Sequence, residues 1–549
     1  MENAPNSDLR FRALSPLPDH WFSLGNAFLH QARIAPDLVA VEDSTGVSLT
    51  YHKLLVSSLA LANILSERLD PCLYVGILLP PSAGAVLANI ALTLIGKIPV
   101  NLNYTISEEQ FDSCITQCGI KTVLTSKKIM QRLKFKADQK YLELETLRDN
   151  VTLAIKAWSW TEADLVPEML LSQFLPGLAA NQSHNRLKEP AAVLFTAGST
   201  GIPKGVVLSH GNILSNIHGI QEHLHESETV LGVAPFFHSF GFTMTLWAVL
   251  ALGQKAVYHY DPFDARTVGN LCEKTNATVL FCTPTIMRAY LRRCKKEQFK
   301  SIRLCILGGE KLKSQLASEI EAELSVTPLQ GYGLTETGPV ISTNVPDQIV
   351  FSDGLSVQGN KPGTVGIPLS GTRVRIIDLV TGNENAVDVE GMIQVQGPQV
   401  MQGYLNNNDA TEQVLKDDWF ITGDLGFLDN QGFLTITGRL SQFSKIGGEM
   451  VPHLAVEQEI LKAIGSDEQI LSVTSVPDEK RGERLAVVYS KSAMTPQDIC
   501  KKMQLSDISK LWVPDAEDFV EVDVLPVLSN GKLDLQMIKK LAAERLSHQ

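Results

Sequence analysis

The stretch Leu194-Phe195-Thr196-Ala197-Gly198-Ser199-Thr200-Gly201-Ile202-Pro203-Lys204-Gly205-Val206-Val207 gathers hydroxyls, glycines and a lysine between two short apolar runs. Loop amides and hydroxyls can wrap an anion, and glycine lets the backbone approach it closely. Lys204 adds a positive charge for phosphate oxygens. The pattern suggests a loop that holds nucleotide phosphates. It is not the common P-loop, which needs Gly-Lys-Ser/Thr opening a helix; here Pro203 precedes the lysine and Val206-Val207 continue as strand. Taken alone, the run is also compatible with a plain turn between two strands.

Four further segments stand in order after it: Gln330-Gly331-Tyr332-Gly333-Leu334-Thr335-Glu336-Thr337-Gly338, Thr422-Gly423-Asp424-Leu425-Gly426, Gly432-Phe433-Leu434-Thr435-Ile436-Thr437-Gly438-Arg439, and Pro526-Val527-Leu528-Ser529-Asn530-Gly531-Lys532-Leu533-Asp534. With the loop, they resemble the adenylate-forming superfamily: acyl-CoA synthetases, acyl-ACP synthetases, luciferases and the adenylation domains of peptide synthetases. The resemblance spans nearly the whole chain.

The resemblance implies ATP and Mg2+ as cofactors and a role for each segment. Thr196, Ser199, Thr200, Gly201 and Lys204 would hold the β- and γ-phosphates, with Thr200 beside the metal. Gln330, Gly331, Tyr332 and Gly333 would form the adenine segment, flanked by Gly309 and Glu310 of Gly308-Gly309-Glu310. Tyr332 offers a flat face for the base, Thr335 a donor for the α-phosphate, and Glu336 a hard oxygen for Mg2+. Asp424 can accept both ribose hydroxyls, and Arg439 would reach the nucleotide. Lys532, at an Asn-Gly turn, corresponds to the lysine that a mobile C-terminal domain delivers to the α-phosphate.

In such enzymes the C-terminal domain then rotates. The loop Lys445-Ile446-Gly447-Gly448-Glu449, with Gly447 and Gly448, would then line a tunnel for the thiol. The hinge falls at Ser441, where the family usually has Asp or Lys; the text after Gly438-Arg439 also departs from the usual one.

These groups must be positioned by a large scaffold. At 549 residues the chain exceeds a single core, so two or more domains are expected. Apolar runs such as Tyr74-Val75-Gly76-Ile77-Leu78-Leu79 and Leu304-Cys305-Ile306-Leu307 alternate with helical spacing, as in residues 51–65. Such βαβ alternation implies α/β architecture with parallel sheets, whose ligands gather at the carboxyl ends of strands. Residues 172–190 read as a loop, and residues 365–403 as a small barrel-like or antiparallel β unit. The expected division is 1–439, a large N-terminal adenylation domain, and 440–549, a small mobile α+β C-terminal domain carrying Lys532.

Bulk properties exclude several classes. A formal net charge of -12 argues against general nucleic-acid binding. Eight cysteines lie without a CxxC pair, as reduced thiols of a cytoplasmic protein would. The polar N-terminus has no signal core, and the apolar run around residues 86–95 is too short to span a bilayer. Peripheral membrane association fits an acid that partitions into lipid, but no amphipathic helix marks it.

Residues 234–247 match the acid-pocket segment and carry four phenylalanines, a methionine and a tryptophan. An amino-acid adenylation domain places an Asp near here; none is present, so an apolar acid is favoured. Phe237, His238 and Phe240 are the pocket candidates, with His238 gating it or orienting the carboxylate. Residues 96–105 and 235–241 look most like acyl-ACP synthetases, in particular the synthetase half of the bifunctional 2-acylglycerophosphoethanolamine acyltransferase. That implies a long-chain fatty acid:ACP ligase whose acidic carrier protein docks on basic residues, either Arg292, Arg293, Lys295 and Lys296 or Lys480, Arg481 and Arg484. The alternatives are a long-chain acyl-CoA synthetase that uses CoA, and a non-catalytic binder of nucleotide or acyl chains. Lys204, Glu336, Asp424, Arg439 and Lys532, all intact, oppose the latter.

Overall fold

Thr50 ends a short strand and caps the helix that follows: its Oγ1 accepts from Lys53 N at 3.2 Å, turning Ser48–Thr50 into Tyr51–Arg68. Ser82 does the same for helix Ala83–Leu94, accepting from Ala85 N at 3.3 Å. Local capping of this kind starts most of the helices that pack between the sheets. The computed structural model describes residues 11–546 except 70, 134–139, 180–184, 197–201, 226, 348–357, 447–448, 467–468, 479–480, 491–493, 507 and 528–532.

The architecture is mixed α/β, with a large N-terminal domain and a smaller C-terminal one. Two sheets dominate the N-terminal part. The first has nine strands, and its central six run parallel: Pro328–Gly333, Leu304–Leu307, Val279–Cys282, Thr229–Gly232, Lys255–Tyr258 and Val39–Asp43. Antiparallel strands close it at each edge. The second sheet is all parallel, in the order Ile98–Asn101, Tyr74–Ile77, Val123–Thr125, Tyr141–Glu143.

The largest apolar core joins these sheets through helices Leu24–Ile34, Tyr51–Arg68 and Ala83–Leu94. Helix Ala83–Leu94 is buried on nearly all sides, as its uninterrupted apolar run predicts; each fully buried leucine there contributes about 2 kcal/mol. Its one amide, Asn89, pairs with Asn101 at 2.9 Å. Among the described residues no helix is long and apolar enough to cross a membrane.

Three further sheets complete the chain. Pro190–Thr196 and Lys204–Ser209 form a hairpin whose last pair is Thr196 opposite Lys204, and Gly403–Tyr404 adds a third strand. Residues 365–403 contribute to an antiparallel five-stranded sheet of Arg373–Ile377, Gly391–Gln396, Trp419–Leu428, Leu415–Lys416 and Leu434–Arg439. The segment 172–190, expected as loop, begins inside helix Glu168–Phe174.

Beyond Arg439, a 3-10 turn over Leu440–Gln442 leads into the last sheet, which includes Phe443–Ile446, Leu471–Asp478 and Gly482–Ser490. Helices His453–Ile464, Pro496–Gln504 and Leu535–Leu546 cover this sheet, and it has apolar clusters of its own. Ser441 sits in that turn.

Candidate functional site

Three of the segments singled out by sequence, and one that was not, Thr283-Pro284-Thr285, follow neighbouring parallel strands. Ala234-Pro235-Phe236-Phe237-His238 comes after Thr229–Gly232, Thr283-Pro284-Thr285 after Val279–Cys282, and Gly308-Gly309-Glu310 after Leu304–Leu307. Tyr332 to Glu336 end Pro328–Gly333 and continue from it. A parallel sheet leaves these four turns along one rim, where ligands of open α/β sheets bind.

The first cluster on this rim is built around Asp424. Gly423 takes a left-handed φ of 75° in mid-strand, a conformation glycine reaches without penalty. Thr422 Oγ1 donates to Ile393 O at 2.8 Å and accepts from Asp424 N at 3.0 Å, which ties down the backbone at Asp424. Arg439 is its direct cross-strand partner, with Nε 3.0 Å from Asp424 Oδ1. Tyr332 donates its hydroxyl to Asp424 Oδ2 at 2.6 Å. Burial, reinforced by Asp424, holds the Tyr332 phenol well above its ordinary pKa, so it remains a donor. A carboxylate has about four acceptor sites, so Asp424 keeps capacity for further hydroxyl donors.

The second cluster is built around Glu336. Its turn is held by Thr337, whose Oγ1 donates to Pro339 O at 2.7 Å, and by Met401 N, which donates to Glu336 O at 2.8 Å. Tyr404 donates its hydroxyl to Glu336 Oε1 at 2.9 Å. Burial, then the nearby Glu336 charge, raises the Tyr404 phenol pKa. Lys204 Nζ lies 5.0 Å from the centre of the same ring. Pairing of Gly403–Tyr404 with Lys204–Ser209 is what brings these groups together. Thr196, Lys204, Tyr404 and Glu336 thus converge from three separate stretches of chain. Among the described residues, the hydroxyl of Thr335 has no hydrogen-bond partner.

The third cluster joins the expected adenine and acid segments. Gly309 has a φ of 82°. Gln330 Nε2 donates to Glu310 O at 3.4 Å, and Glu310 Oε2 accepts from Thr285 Oγ1 at 2.7 Å. Gly331 pairs with Thr343 across the antiparallel edge. A Cβ on Gly333 would lie 1.9 Å from Pro339 O, so only glycine fits there. Phe240 stacks edge-on against Phe281 at 5.6 Å and approaches Gly308. Phe237 packs on Tyr104 at 5.1 Å and on His238 at 4.6 Å. After them the chain makes a wide π-helical turn, Gly241–Trp247, where a Cβ on Gly241 would meet Pro235 O at 2.3 Å. Such turns recur at functional sites.

Ser199, Thr200, Gly201, Gly447, Gly448 and Lys532 lie outside the described residues, as does Lys480. The expected basic patches fare differently. Arg484 is ion-paired with Asp518, while Arg292, Arg293 and Lys295 are exposed and Lys296 donates to Ala322 O at 3.2 Å. Among the described residues no group of three His, Cys, Asp or Glu side chains could hold a metal unaided.

Sequence reasoning missed Tyr404 and Tyr104. The only local sign of Tyr404 was a β-like run ending at Gly403; its contact with Glu336 depends on sheet pairing.

Residues 28–405 match the family described as AMP-binding enzyme. A long-chain-fatty-acid–CoA ligase of Bacillus subtilis (strain 168) is 27% identical over 545 residues, covering 94% of each chain. A 4-coumarate–CoA ligase-like 9 protein of Arabidopsis thaliana is 30% identical over 458 residues, covering 81% of this chain and 76% of its own. Among solved structures, ATP-bound MatB from Rhodopseudomonas palustris superposes with a TM-score of 0.74 at 24% identity, covering 94% of this chain and 98% of its own. MenE from Bacillus subtilis, in complex with ATP and magnesium ion, gives the same TM-score, identity and coverage.

Proposed function

Because this chain belongs to the AMP-binding enzyme family, we propose that it is an AMP-forming ligase that joins a long-chain fatty acid to the thiol of coenzyme A. The observation that carries the reading is the convergence of Lys204, Tyr404 and Glu336 beside the Asp424–Tyr332–Arg439 cluster on the carboxyl rim of a parallel sheet.

A carboxylate does not react with a thiol, because oxide is a poor leaving group. Attack of the acid's carboxylate oxygen on the α-phosphorus of ATP breaks the α–β phosphoanhydride bond. It forms an acyl-AMP anhydride and releases pyrophosphate. A thiol then attacks the acyl carbon, AMP leaves, and a thioester remains.

The residues divide this work. Asp424 accepts from the ribose hydroxyls and Arg439 reaches the nucleotide, while Tyr332, with Gln330, Gly331, Gly333, Gly309 and Glu310, flanks the base. Lys204 and Thr196, with Ser199, Thr200 and Gly201, hold the β- and γ-phosphates. Thr335 and Lys532 donate to the α-phosphate where negative charge gathers, which is electrostatic catalysis. Glu336 fits a hard cation: Tyr404 occupies one side of its carboxylate, and the remaining oxygen suits Mg2+, with Thr200 beside it. When bound, that ion neutralises phosphate charge. Phe237, His238 and Phe240 receive the acid.

The acceptor is where this reading departs from the sequence resemblance, which favoured acyl carrier protein. The relatives are described as CoA ligases, among them the Bacillus subtilis long-chain-fatty-acid–CoA ligase, and one expected basic patch is compromised by the Arg484–Asp518 pair. The boundary at 439/440, with Ser441 in the connecting turn, suits a C-terminal domain that rotates between the two half-reactions. Lys532 then withdraws and Gly447 and Gly448 line the thiol's path.

Incubation with ATP, Mg2+, palmitate and either CoA or holo-acyl carrier protein, followed by mass measurement, tests the proposal. Palmitoyl-CoA is expected. Mass gain on the carrier protein alone would overturn the CoA reading, and absence of palmitate-dependent pyrophosphate exchange would overturn catalysis altogether.

A further inference from the structure

Residues 11–21 run as an irregular strap over separate parts of the N-terminal domain before helix Leu24–Ile34 begins. Arg373 stands over the Phe11 ring at 4.3 Å, and Arg12 O accepts from Gly371 N at 2.6 Å. These contacts pin one end to the antiparallel five-stranded sheet. Arg12 Nη1 donates to Glu222 Oε2 at 3.3 Å, and Ser15 Oγ meets His218 Nε2 at 2.8 Å, so the middle lies on helix His210–Gln221 and its end. Buried Trp21 anchors the far end, nearly perpendicular to the His218 ring with centres 5.8 Å apart.

Histidines line this seam: His20, His30, His218 and His223. His20 of the strap stacks on His30 of helix Leu24–Ile34, with ring centres 3.6 Å apart and planes 23° apart. Rings at that separation repel one another once both are charged. Burial, then His30, lowers the His20 pKa, and neighbouring Asp19 offsets them in part. His218 is held from both sides, its Nδ1 by Gln221 Oε1 at 3.3 Å and its Nε2 by Ser15. His223 is buried, and among the described residues its Nδ1 has no hydrogen-bond partner. Burial, then Arg12, lowers its pKa to about 4. Protons on these rings add positive charge to a seam that already carries Arg12 and Arg373 against Asp19 and Glu222.

A ring that binds its proton more weakly in the docked strap than in the free one favours release as pH falls. Docking is therefore fully favoured above about 6.5, the ordinary imidazole value, and loses ground below it. His20 acts first, and His223 adds to the effect nearer pH 4.

We propose that residues 11–21 are an acid-released strap: protonation at the His20–His30 stack lifts them from helix His210–Gln221 and the antiparallel sheet while the rest of the domain stays folded. The strap joins the helix that follows strand Lys204–Ser209 to the sheet that carries Asp424, so release loosens these two against each other. The proposal goes beyond the ligase reading and does not depend on it, since release needs neither ATP nor a fatty acid.

Brief thermolysin digestion of the full chain, read by mass spectrometry, tests it. Each cleavage rate is referred to that of a free peptide of residues 11–21 at the same pH. Cleavage within the strap should rise about tenfold between about pH 7.5 and about pH 5.5, the factor that one unit of lowered pKa gives. Sites elsewhere should keep their rates. His20→Phe and His30→Phe each keep a ring in the stack and remove the proton site, so both should flatten the response with melting temperatures unchanged near pH 7.5. His52→Phe, on another helix, should leave the response as it is. A wild-type strap that acid does not open, or a response that persists in both stack variants, would overturn the proposal. So would a rise shared by sites throughout the chain, because global unfolding would then be the cause.

Discussion

Tyr404 and Glu336 are joined by a 2.9 Å hydrogen bond between hydroxyl and carboxylate, and Lys204 lies 5.0 Å from the centre of the same tyrosine ring. One side chain therefore couples strand Lys204–Ser209 to the Glu336 carboxylate. A hydrogen bond to a charged group contributes about 2 kcal/mol. Tyr404→Phe should leave the fold intact, lower turnover about thirtyfold by that scale, and raise the Mg2+ concentration needed for half-maximal rate. Initial rates over a Mg2+ series check this; an unchanged Mg2+ requirement would show that Tyr404 does not position Glu336.

Asp424 serves Arg439, Tyr332 and, in the proposed complex, the ribose diol. Asp424→Asn keeps the shape and removes the charge. The expected result is a rise in KM for ATP on the order of 100-fold, the equivalent of losing about 1.4 kcal/mol of charge assistance at each of two hydrogen bonds. Tyr332→Phe should raise it by a smaller factor. Steady-state kinetics with ATP varied separates the two, and equal effects would contradict the assignment.

Gly333 ends the strand that carries Tyr332 and begins the turn that carries Glu336. Because an added Cβ would lie 1.9 Å from a backbone oxygen, Gly333→Ala must shift the chain itself. It should destabilise the protein by roughly 2–4 kcal/mol and weaken nucleotide binding together. Gly382→Ala, where the added carbon meets nothing within 4 Å but φ is 72°, should cost about 1 kcal/mol through backbone strain alone and spare nucleotide binding. Calorimetric melting with and without ATP distinguishes them.

His210 is buried, and its Nδ1 accepts from Leu24 N at 3.2 Å, which requires the neutral ring. Burial, assisted by Arg186, lowers its pKa to about 3 from 6.5. The unfolded chain therefore binds the proton first as pH falls. This contribution to stability is complete above the unfolded value near 6.5 and is lost progressively between about 6.5 and 3. His453, lowered by burial to about 4, acts in the same direction. Melting temperature should fall as the pH is taken from 7 toward 4, on the scale of about 1.4 kcal/mol per pH unit per group. His210→Asn should flatten that slope; an unaltered slope would refute the role of His210.

How far the residue order reached can be seen in particular groups. The strands Pro190–Thr196 and Lys204–Ser209 followed from apolar runs bounded by glycine and proline, because those features act locally on backbone torsions. So did the buried helix Ala83–Leu94 and the parallel strands that follow one another in βαβ units. The identity of Tyr332, Glu336, Asp424 and Arg439 as candidates also came from sequence, because motif spacing is written along the chain.

Contacts across long separations did not. Tyr332 meets Asp424 across 92 residues and Tyr404 meets Glu336 across 68. Only the pairing of sheets sets such encounters, because register and crossover are chosen by total burial and not by any short window of residues. Helix Leu153–Asp164 makes the same point from the opposite side. Its apolar residues suggest core, yet Asn63 and Arg33 hold its polar groups and carbonyls inward and leave the tryptophans outside. Composition determined that these elements and reactive groups would exist; packing decided which of them would face each other, which would face solvent, and therefore what each can do.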